Sequence, residues 1–357
     1  MTHRITALRE NLANEGCGAF ISLTPATNQY LAGFSGTTSA ILITPDEALF
    51  LCDFRYTEQA QEQVRGYAIT EVKGKLSERL AEAVSERRLS AVGFEPQYMT
   101  VDEFRALQAN AGSVFTETPE LVSSLRRRKD ESEIALVRAA SELAESVLVD
   151  LLPELRPGIT ERELAARFEY EFKMRGASGP SFDTMALFGA RSSLPHGQPG
   201  DRALQEGDVV LLDFGCRREG YCSDLTRTYA FGRIPGGWFQ EIHELTLAAQ
   251  RQALEAVRPG VSCQEVDAAA RDVISNAGHG SHFGHGLGHG VGIEIHEAPR
   301  LNPEATGVLE AGMVITIEPG VYLPGQGGVR IEDLIVVTQD GCEVLTRTQK
   351  ELEILAP

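Results

Sequence analysis

Gly207-Asp208-Val209-Val210-Leu211-Leu212-Asp213-Phe214-Gly215 and Gly312-Met313-Val314-Ile315-Thr316-Ile317-Glu318-Pro319-Gly320 follow one pattern: a glycine, an aliphatic run rich in β-branched residues, then a carboxylate at the end of the run. Such runs favour strands, so each acid is expected at a strand tip. A second pair of segments repeats at nearly the same offset. Arg156-Pro157-Gly158-Ile159-Thr160-Glu161-Arg162-Glu163-Leu164 is echoed by Arg258-Pro259-Gly260-Val261-Ser262-Cys263-Gln264-Glu265-Val266, in each case a Pro-Gly turn, a Thr or Ser capping box and an apolar helix. Two halves of about 100 residues, each giving helices and an acid-tipped strand, imply a pseudo-symmetric α+β domain with its acids converging at the centre. The period is far too long for a solenoid.

Upstream, Ile134, Val137, Ala140, Ala144, Val147 and Leu151 keep helical spacing, and Asp130 with Glu133 three residues on forms the start signal of a long amphipathic helix. The basic run Arg126-Arg127-Arg128-Lys129 precedes it and reads either as a solvated linker or as a partner site. The boundary is placed at about residue 125, giving domains 1–125 and 126–357. In the first, Gly18 to Ser22, Ala40 to Thr44 and Ala48 to Asp53 read as strands, and Thr57 to Val64 and Ser77 to Glu86 as helices, which makes an α/β unit.

The chain of 357 residues carries 33 basic and 51 acidic side chains, and its net charge of -18 opposes binding to nucleic acid or anionic membranes. Apolar runs such as Ala40 to Ile43 are too short to span a bilayer, and the polar opening Met1 to Asn14 does not read as a secretory signal, so a cytoplasmic protein is expected. Six cysteines form no CxxC pair; Cys216 and Cys222 lie among acids and read either as metal ligands or as buried strand thiols.

Those acids form a constellation. Asp213 and Asp224 flank the turn Arg217-Arg218-Glu219-Gly220, which suggests a hairpin bringing them together. Glu318 ends the repeat-related strand, and Glu332 follows a Gly-rich turn in Gly328-Val329-Arg330-Ile331-Glu332-Asp333, which suggests a second hairpin. His289 comes from Gly284-His285-Gly286-Leu287-Gly288-His289-Gly290. Taken singly, each acid also reads as a surface or salt-bridge residue. If the four converge, they cannot all stay ionised without counter-charge. Two divalent cations would supply it, and a mainly oxygen donor set suits Mn, Co, Fe or Zn better than Cu.

The motifs Leu212-Asp213-Phe214-Gly215, Ser223-Asp224-Leu225-Thr226-Arg227-Thr228, His285-Gly286-Leu287-Gly288-His289-Gly290, Ile317-Glu318-Pro319-Gly320 and Val329-Arg330-Ile331-Glu332-Asp333 together resemble the M24, or pita-bread, metallopeptidases. Asn28-Gln29-Tyr30-Leu31-Ala32-Gly33-Phe34 and Asp53-Phe54-Arg55-Tyr56-Thr57 resemble the creatinase-type N-terminal domain, which has an RNase H-like layout. That domain is generally absent from methionine aminopeptidases, so the resemblance is to the proline-specific branch. An intact ligand set speaks against creatinase itself and against non-catalytic binding relatives.

The resemblance implies two metal ions, manganese first and cobalt or zinc as alternatives, with Asp213 on one ion, His289 and Glu318 on the other, and Asp224 and Glu332 bridging. It implies that Glu318 also moves the proton from water to the leaving proline nitrogen. His196, His285 and His296 fit its substrate-side histidines, though the glycine-rich setting of His285 also allows a purely structural role. Arg330 would orient the bridging carboxylates or simply face solvent. His279 and His282 match no role and are read as loop residues. A homodimer is implied as well.

The expected substrate is an Xaa-Pro dipeptide, with cleavage in front of proline, where the missing N–H and fixed φ handicap peptidases that read an extended backbone. The choice of a dipeptide rests on Arg300 in His296-Glu297-Ala298-Pro299-Arg300, at the place where an arginine binds the substrate carboxylate in the dipeptidases that the chain resembles. A desolvated Arg300 would make its removal cost roughly 2–5 kcal/mol. An Xaa-Pro aminopeptidase acting on longer peptides is the alternative within the same chemistry.

Overall fold

The computed structural model describes residues 2–357, which divide into two compact units, Met1–Arg126 and Arg127–Pro357. The first unit is built on a six-stranded mixed sheet in the order Ala68–Glu71, Ala48–Cys52, Ala40–Ile43, Ala19–Ser22, Ala91–Phe94 and Val114–Glu117. Ala19–Ser22 runs antiparallel to Ala40–Ile43 and parallel to Ala91–Phe94. Ala19–Ser22 and Ala40–Ile43 are buried along their length, with Phe20, Ile21, Ile41 and Leu42 fully covered, Ala48–Cys52 is buried from Phe50 on, and Leu80 and Val84 present the apolar face of the helix Leu76–Glu86 to the core.

The second unit shows the expected pseudo-symmetry. In one sheet the strand Val209–Phe214 lies between Met185–Phe188 and Leu225–Phe231, both antiparallel to it. In the other, Val314–Ile317 lies between Gly288–Gly290 and Asp333–Val337, again both antiparallel. The helices Glu131–Leu151 and Glu161–Met174 cover the first sheet through Val147, Leu148, Phe168 and Phe172. Gly237–Ala256 and Cys263–Asn276 cover the second through Phe239, Ala253, Val266 and Ile274.

The repeat extends to individual main-chain bonds. Gly158 N donates to Leu204 O at 2.9 Å and Gly260 N to Leu309 O at 2.8 Å; Glu161 N donates to Arg202 O at 3.1 Å and Cys263 N to Gly307 O at 2.9 Å. Thr160 and Ser262 each cap their helix by accepting from the N–H three residues on, at 3.1 Å. Only Ser262 completes the reciprocal box, through Glu265. Glu163 turns away to the Arg167 and Arg156 guanidinium groups, at 3.2 and 3.6 Å.

The capping box of Asp130 and Glu133 is complete, and the helix it starts runs over Glu131–Leu151. The basic run before it is not a solvated linker throughout. Lys129 is buried and its Nζ pairs with Glu297 Oε2 at 3.1 Å, both side chains shielded from water, while Arg128 pairs with Glu310 at 3.5 Å. A buried acid partner overrides the usual solvation of a charge run.

Candidate functional site

Four carboxylates and one imidazole meet between the two sheets of the second unit. Asp213 is the penultimate residue of Val209–Phe214, and Thr226 on the returning strand lies directly opposite it. Asp224 stands one residue before that strand, so it is carried alongside Asp213. The turn at Glu219 and Gly220, both with positive φ, closes a separate short hairpin of Cys216–Arg218 and Tyr221–Cys222. Asp213 and Asp224 are therefore joined by the antiparallel pairing of the longer strands on either side of that turn, the neighbouring-strand arrangement the turn suggested, with the short hairpin at its tip. Glu318 follows Ile317 at its strand end, and Glu332 sits in the break between Gly327–Arg330 and Asp333–Val337. Ile317 pairs with Asp333, which brings the two ends together.

Asp213, Asp224 and Glu332 each offer an oxygen within 4.8 Å of the others, the one such group of three or more potential ligands among the described residues. His289 Nε2 lies 3.3 Å from Glu318 Oε1 and 3.5 Å from Asp224 Oδ2. Glycine on both sides of His289 is a packing requirement: a Cβ at Gly288 would stand 2.0 Å from Thr316 O, and one at Gly290 2.3 Å from Ala298 O.

Burial, and then the neighbouring acids, pushes the Asp224 and Glu332 carboxyls well above the ordinary carboxylate range. Burial raises Glu318 to about 7, with Asp213 adding to the effect and Arg330 opposing it. Burial also drives His289 down to about 3, so its imidazole is neutral. Its Nδ1 donates to Gly290 O at 3.0 Å, which leaves the Nε2 lone pair facing carboxylate oxygens. Acceptors facing one another call for a cation between them. Asp213 Oδ1 is in the same position, buried with no hydrogen-bond partner. This donor set fits divalent metal ions with oxygen and imidazole preference.

The cysteines are not part of it. Cys216 Sγ lies 3.3 Å from Ala140 O and Cys222 Sγ 3.6 Å from Ile293 O, and burial pushes both thiols up, Cys216 to about 11. They are the buried strand thiols of the alternative reading.

Threonines hold the ligands in place. Thr226 Oγ1 donates to Glu332 Oε2 at 2.7 Å and accepts from Arg330 Nε at 3.0 Å. Thr316 Oγ1 donates to Glu318 Oε1 at 3.0 Å and accepts from His289 N at 3.0 Å. The sequence reading assigned neither a role, although Thr316 interrupts an aliphatic strand two residues before Glu318, and so shares its face.

Arg330 does not face solvent; it is buried, pairs with Asp213 Oδ2 and donates to the Tyr322 hydroxyl at 2.8 Å. Its reach to the expected bridging pair is indirect, through Thr226 to Glu332. Tyr322 OH in turn meets His285 Nε2 at 2.9 Å, and His285 Nδ1 meets Gly286 O at 2.8 Å. Burial lowers His285 to about 4, so both nitrogens of a neutral ring are occupied within the protein.

A cavity of about 420 Å³ opens onto the acids and is also lined by His196, His285, His296 and Arg300. His196, His296 and Arg300 are exposed. The His296 ring stands edge-on to His289, centroids 4.4 Å apart, and burial followed by the Arg300 charge holds its pKa below the usual histidine value. Arg300 lies opposite His289 in the strand pairing, and among the described residues no hydrogen bond or ion pair engages its side chain. Its exposure removes the desolvation on which the expected 2–5 kcal/mol rested, so a smaller cost follows. His279 and His282 stay outside the cavity, their Nδ1 atoms 3.3 Å apart.

Comparison with known proteins agrees with this geometry. Residues 135–339 match metallopeptidase family M24, and residues 4–128 match the Creatinase/Prolidase N-terminal domain. The chain is 39% identical to the Xaa-Pro dipeptidase of Pyrococcus furiosus over 324 residues, covering 89% of this chain and 91% of that protein. The structure superposes on the Xaa-Pro dipeptidase from Bacillus anthracis with a TM-score of 0.96 at 40% identity, covering 99% of both chains. It superposes on the X-Pro aminopeptidase of Thermotoga maritima with a TM-score of 0.89 at 36% identity, covering 95% of this chain and 98% of that one. With the pita-bread fold, the acidic centre and these matches together, the chain belongs to metallopeptidase family M24.

Proposed function

We propose that this metallopeptidase hydrolyses the peptide bond in front of proline in Xaa-Pro dipeptides, using two divalent ions, manganese first and cobalt or zinc as alternatives. The observation that carries the dipeptide reading is the Arg300 guanidinium at the cavity, unpaired among the described residues. With the four acids balanced by two divalent ions, a free proline carboxylate still needs a fixed cation to receive it, and a guanidinium can grip it through two parallel hydrogen bonds. An Xaa-Pro aminopeptidase remains the second reading, favoured by the likeness to the Thermotoga maritima protein.

In this reading Asp213, Asp224, His289, Glu318 and Glu332 would hold the ions, with Asp213 on one, His289 and Glu318 on the other, and Asp224 and Glu332 shared by both. Bound ions supply the Lewis acidity that polarises the scissile carbonyl and activates water. Glu318 takes the water proton and returns it to the proline nitrogen. His196 and His296 donate hydrogen bonds to the scissile carbonyl oxygen or to the product end of the substrate. His285 shapes the substrate wall by its ring, since its nitrogens are engaged. Arg330 fixes Asp213 and, through Thr226, Glu332.

Residues 1–125 and 126–357 are proposed as the creatinase-type and catalytic domains. The family resemblance supports a homodimer, the acidic composition supports a protein that binds neither nucleic acid nor anionic membranes, and a cytoplasmic location is proposed from the polar opening Met1 to Asn14 and the short apolar runs. Among the described residues no helix is long and apolar enough to cross a membrane.

The test is a panel of Xaa-Pro dipeptides, Xaa-Pro-Yaa tripeptides and Xaa-Ala controls assayed with Mn, Co and Zn. Cleavage confined to Xaa-Pro bonds and fastest on dipeptides is expected. Tripeptides cleaved as fast as dipeptides would move the assignment to aminopeptidase, and equal cleavage of Xaa-Ala would remove the proline specificity.

A further inference from the structure

His196 is carried by the loop of residues 189–200, which leaves the strand Met185–Phe188 and forms one wall of the cavity through Pro195, His196 and Gln198. Glu161 gathers this loop from both ends. It opens the helix Glu161–Met174, and its carboxylate is fully buried. Oε1 accepts from Phe188 N at 2.8 Å, where the loop begins, and Oε2 accepts from Gly200 N at 2.9 Å, where it ends. Arg191, inside the loop, places Nε 3.0 Å from Oε1 and 2.9 Å from Oε2, and its Nη2 reaches across to Gln198 O at 2.6 Å. Ser192 Oγ adds a tether by accepting from Gly328 N at 2.8 Å.

Every group that meets the Glu161 carboxylate is a donor, and one of them is charged. Such a site is met by an acceptor-only side chain, and a glutamine would turn its amide NH₂ toward an N–H. The pseudo-symmetry offers an internal control. The matching position in the second half, with the same main-chain bond, is Cys263, a buried thiol with no carboxylate to offer. Helix initiation at this place therefore does not require an acid; the loop of the first half does.

We propose that Glu161, with Arg191 as its second grip, is a positioning residue that sets the shape of the substrate loop and thereby the place of His196. This rests on the reading of His196 as a substrate contact. Glu161 itself does not line the cavity and touches no metal ligand.

The test compares Glu161→Gln, His196→Ala and the double variant, each loaded with metal, on an Xaa-Pro dipeptide. Metal content and trypsin cleavage after Arg191 are measured alongside. Glu161→Gln is expected to lower kcat/KM by about tenfold or more, because ångström-scale misplacement of a positioning group costs up to ~100-fold. Metal content should be unchanged, and trypsin should cut after Arg191, a bond the grip on Glu161 and Gln198 is expected to protect in the wild type. In the His196→Ala background the same substitution should change kcat/KM by no more than about twofold, the margin within which a further independent effect is absent. A full and independent loss in that background, or unaltered resistance to trypsin, overturns the proposal. Wild-type kcat/KM in His196→Ala would instead sink the substrate role of His196, and the trypsin result alone would then decide the clasp. Should Glu161→Gln fail to fold, Arg191→Met, which keeps the carboxylate and its two main-chain bonds, carries the same expectations for kcat/KM and metal content, with faster amide hydrogen exchange over residues 189–200 read in place of trypsin cleavage, whose site the substitution removes.

Discussion

Removing the Arg300 guanidinium should weaken dipeptide binding without touching the chemistry. The residue lies in the strand Glu297–Leu301, opposite His289, exposed at the cavity and with no competing partner among the described residues. A charge pair about 4 Å apart is worth ~1 kcal/mol in water and ~4 kcal/mol at the effective dielectric of a protein surface. A hydrogen bond to a charged group contributes about 1.5–3 kcal/mol. Because Arg300 is already solvated when no substrate is bound, little desolvation penalty is left behind in the variant. The expected cost of Arg300→Ala is therefore ~2 kcal/mol, or roughly 30-fold in KM for an Xaa-Pro dipeptide. A tripeptide puts no carboxylate at that place, and its KM should stay within about twofold, the scatter of a neutral surface substitution. Initial-rate kinetics on matched substrates such as Gly-Pro and Gly-Pro-Gly measure both. Equal losses on the two, or none on the dipeptide, would refute the carboxylate-binding role.

Glu318→Gln should lower kcat by about 10²–10⁴-fold, the worth of a positioned general base, and a variant within a few-fold of wild type would remove Glu318 from proton transfer. Thr226→Val takes away the hydroxyl that donates to Glu332 and should weaken metal affinity by ~10–100-fold, read by titration calorimetry; unchanged affinity would make the threonine a packing residue. In the metal-free protein the raised pKa of Glu318 means that the folded state holds a proton the unfolded chain releases. Its stabilising effect is present below an unfolded value near 4.5 and is lost as pH rises through about 7, amounting to about 3 kcal/mol. Thermal melts of stripped protein should fall between about pH 7 and pH 8, above the range in which the depressed histidines His285 and His289 add stability as the unfolded imidazoles lose their protons, while metal affinity rises as bound protons are displaced. A stripped protein that gains stability over that range would contradict this electrostatic picture.

The convergence of the residues assigned to the metals could be read from the chain because each ends or interrupts a distinctive run: Asp213 and Glu318 close apolar strands, and His289 stands between glycines that the neighbouring strands crowd. The residues that fix them were less legible. Thr226 meets Glu332 across 106 positions, and Arg330 meets Asp213 across 117, contacts set by the pairing of strands and absent from any local pattern. For the same reason Arg330 read equally well as solvent-facing, since strand alternation does not say which face is covered when both are. Lys129 passed for part of a solvated run because its partner Glu297 lies 168 residues away. Glu161 was read only as part of a helix-start motif, and the loop bonds that give it a further role begin 27 residues on.

The assignment of Asp213, Asp224, His289, Glu318 and Glu332 to two divalent ions is checked by counting manganese per chain by plasma mass spectrometry after loading and exhaustive dialysis. Two ions are expected in the wild type, with near-complete loss of both in Asp224→Asn, because the carboxylate assigned to both ions is removed. Two ions retained in that variant, or none bound by the wild type, would contradict it.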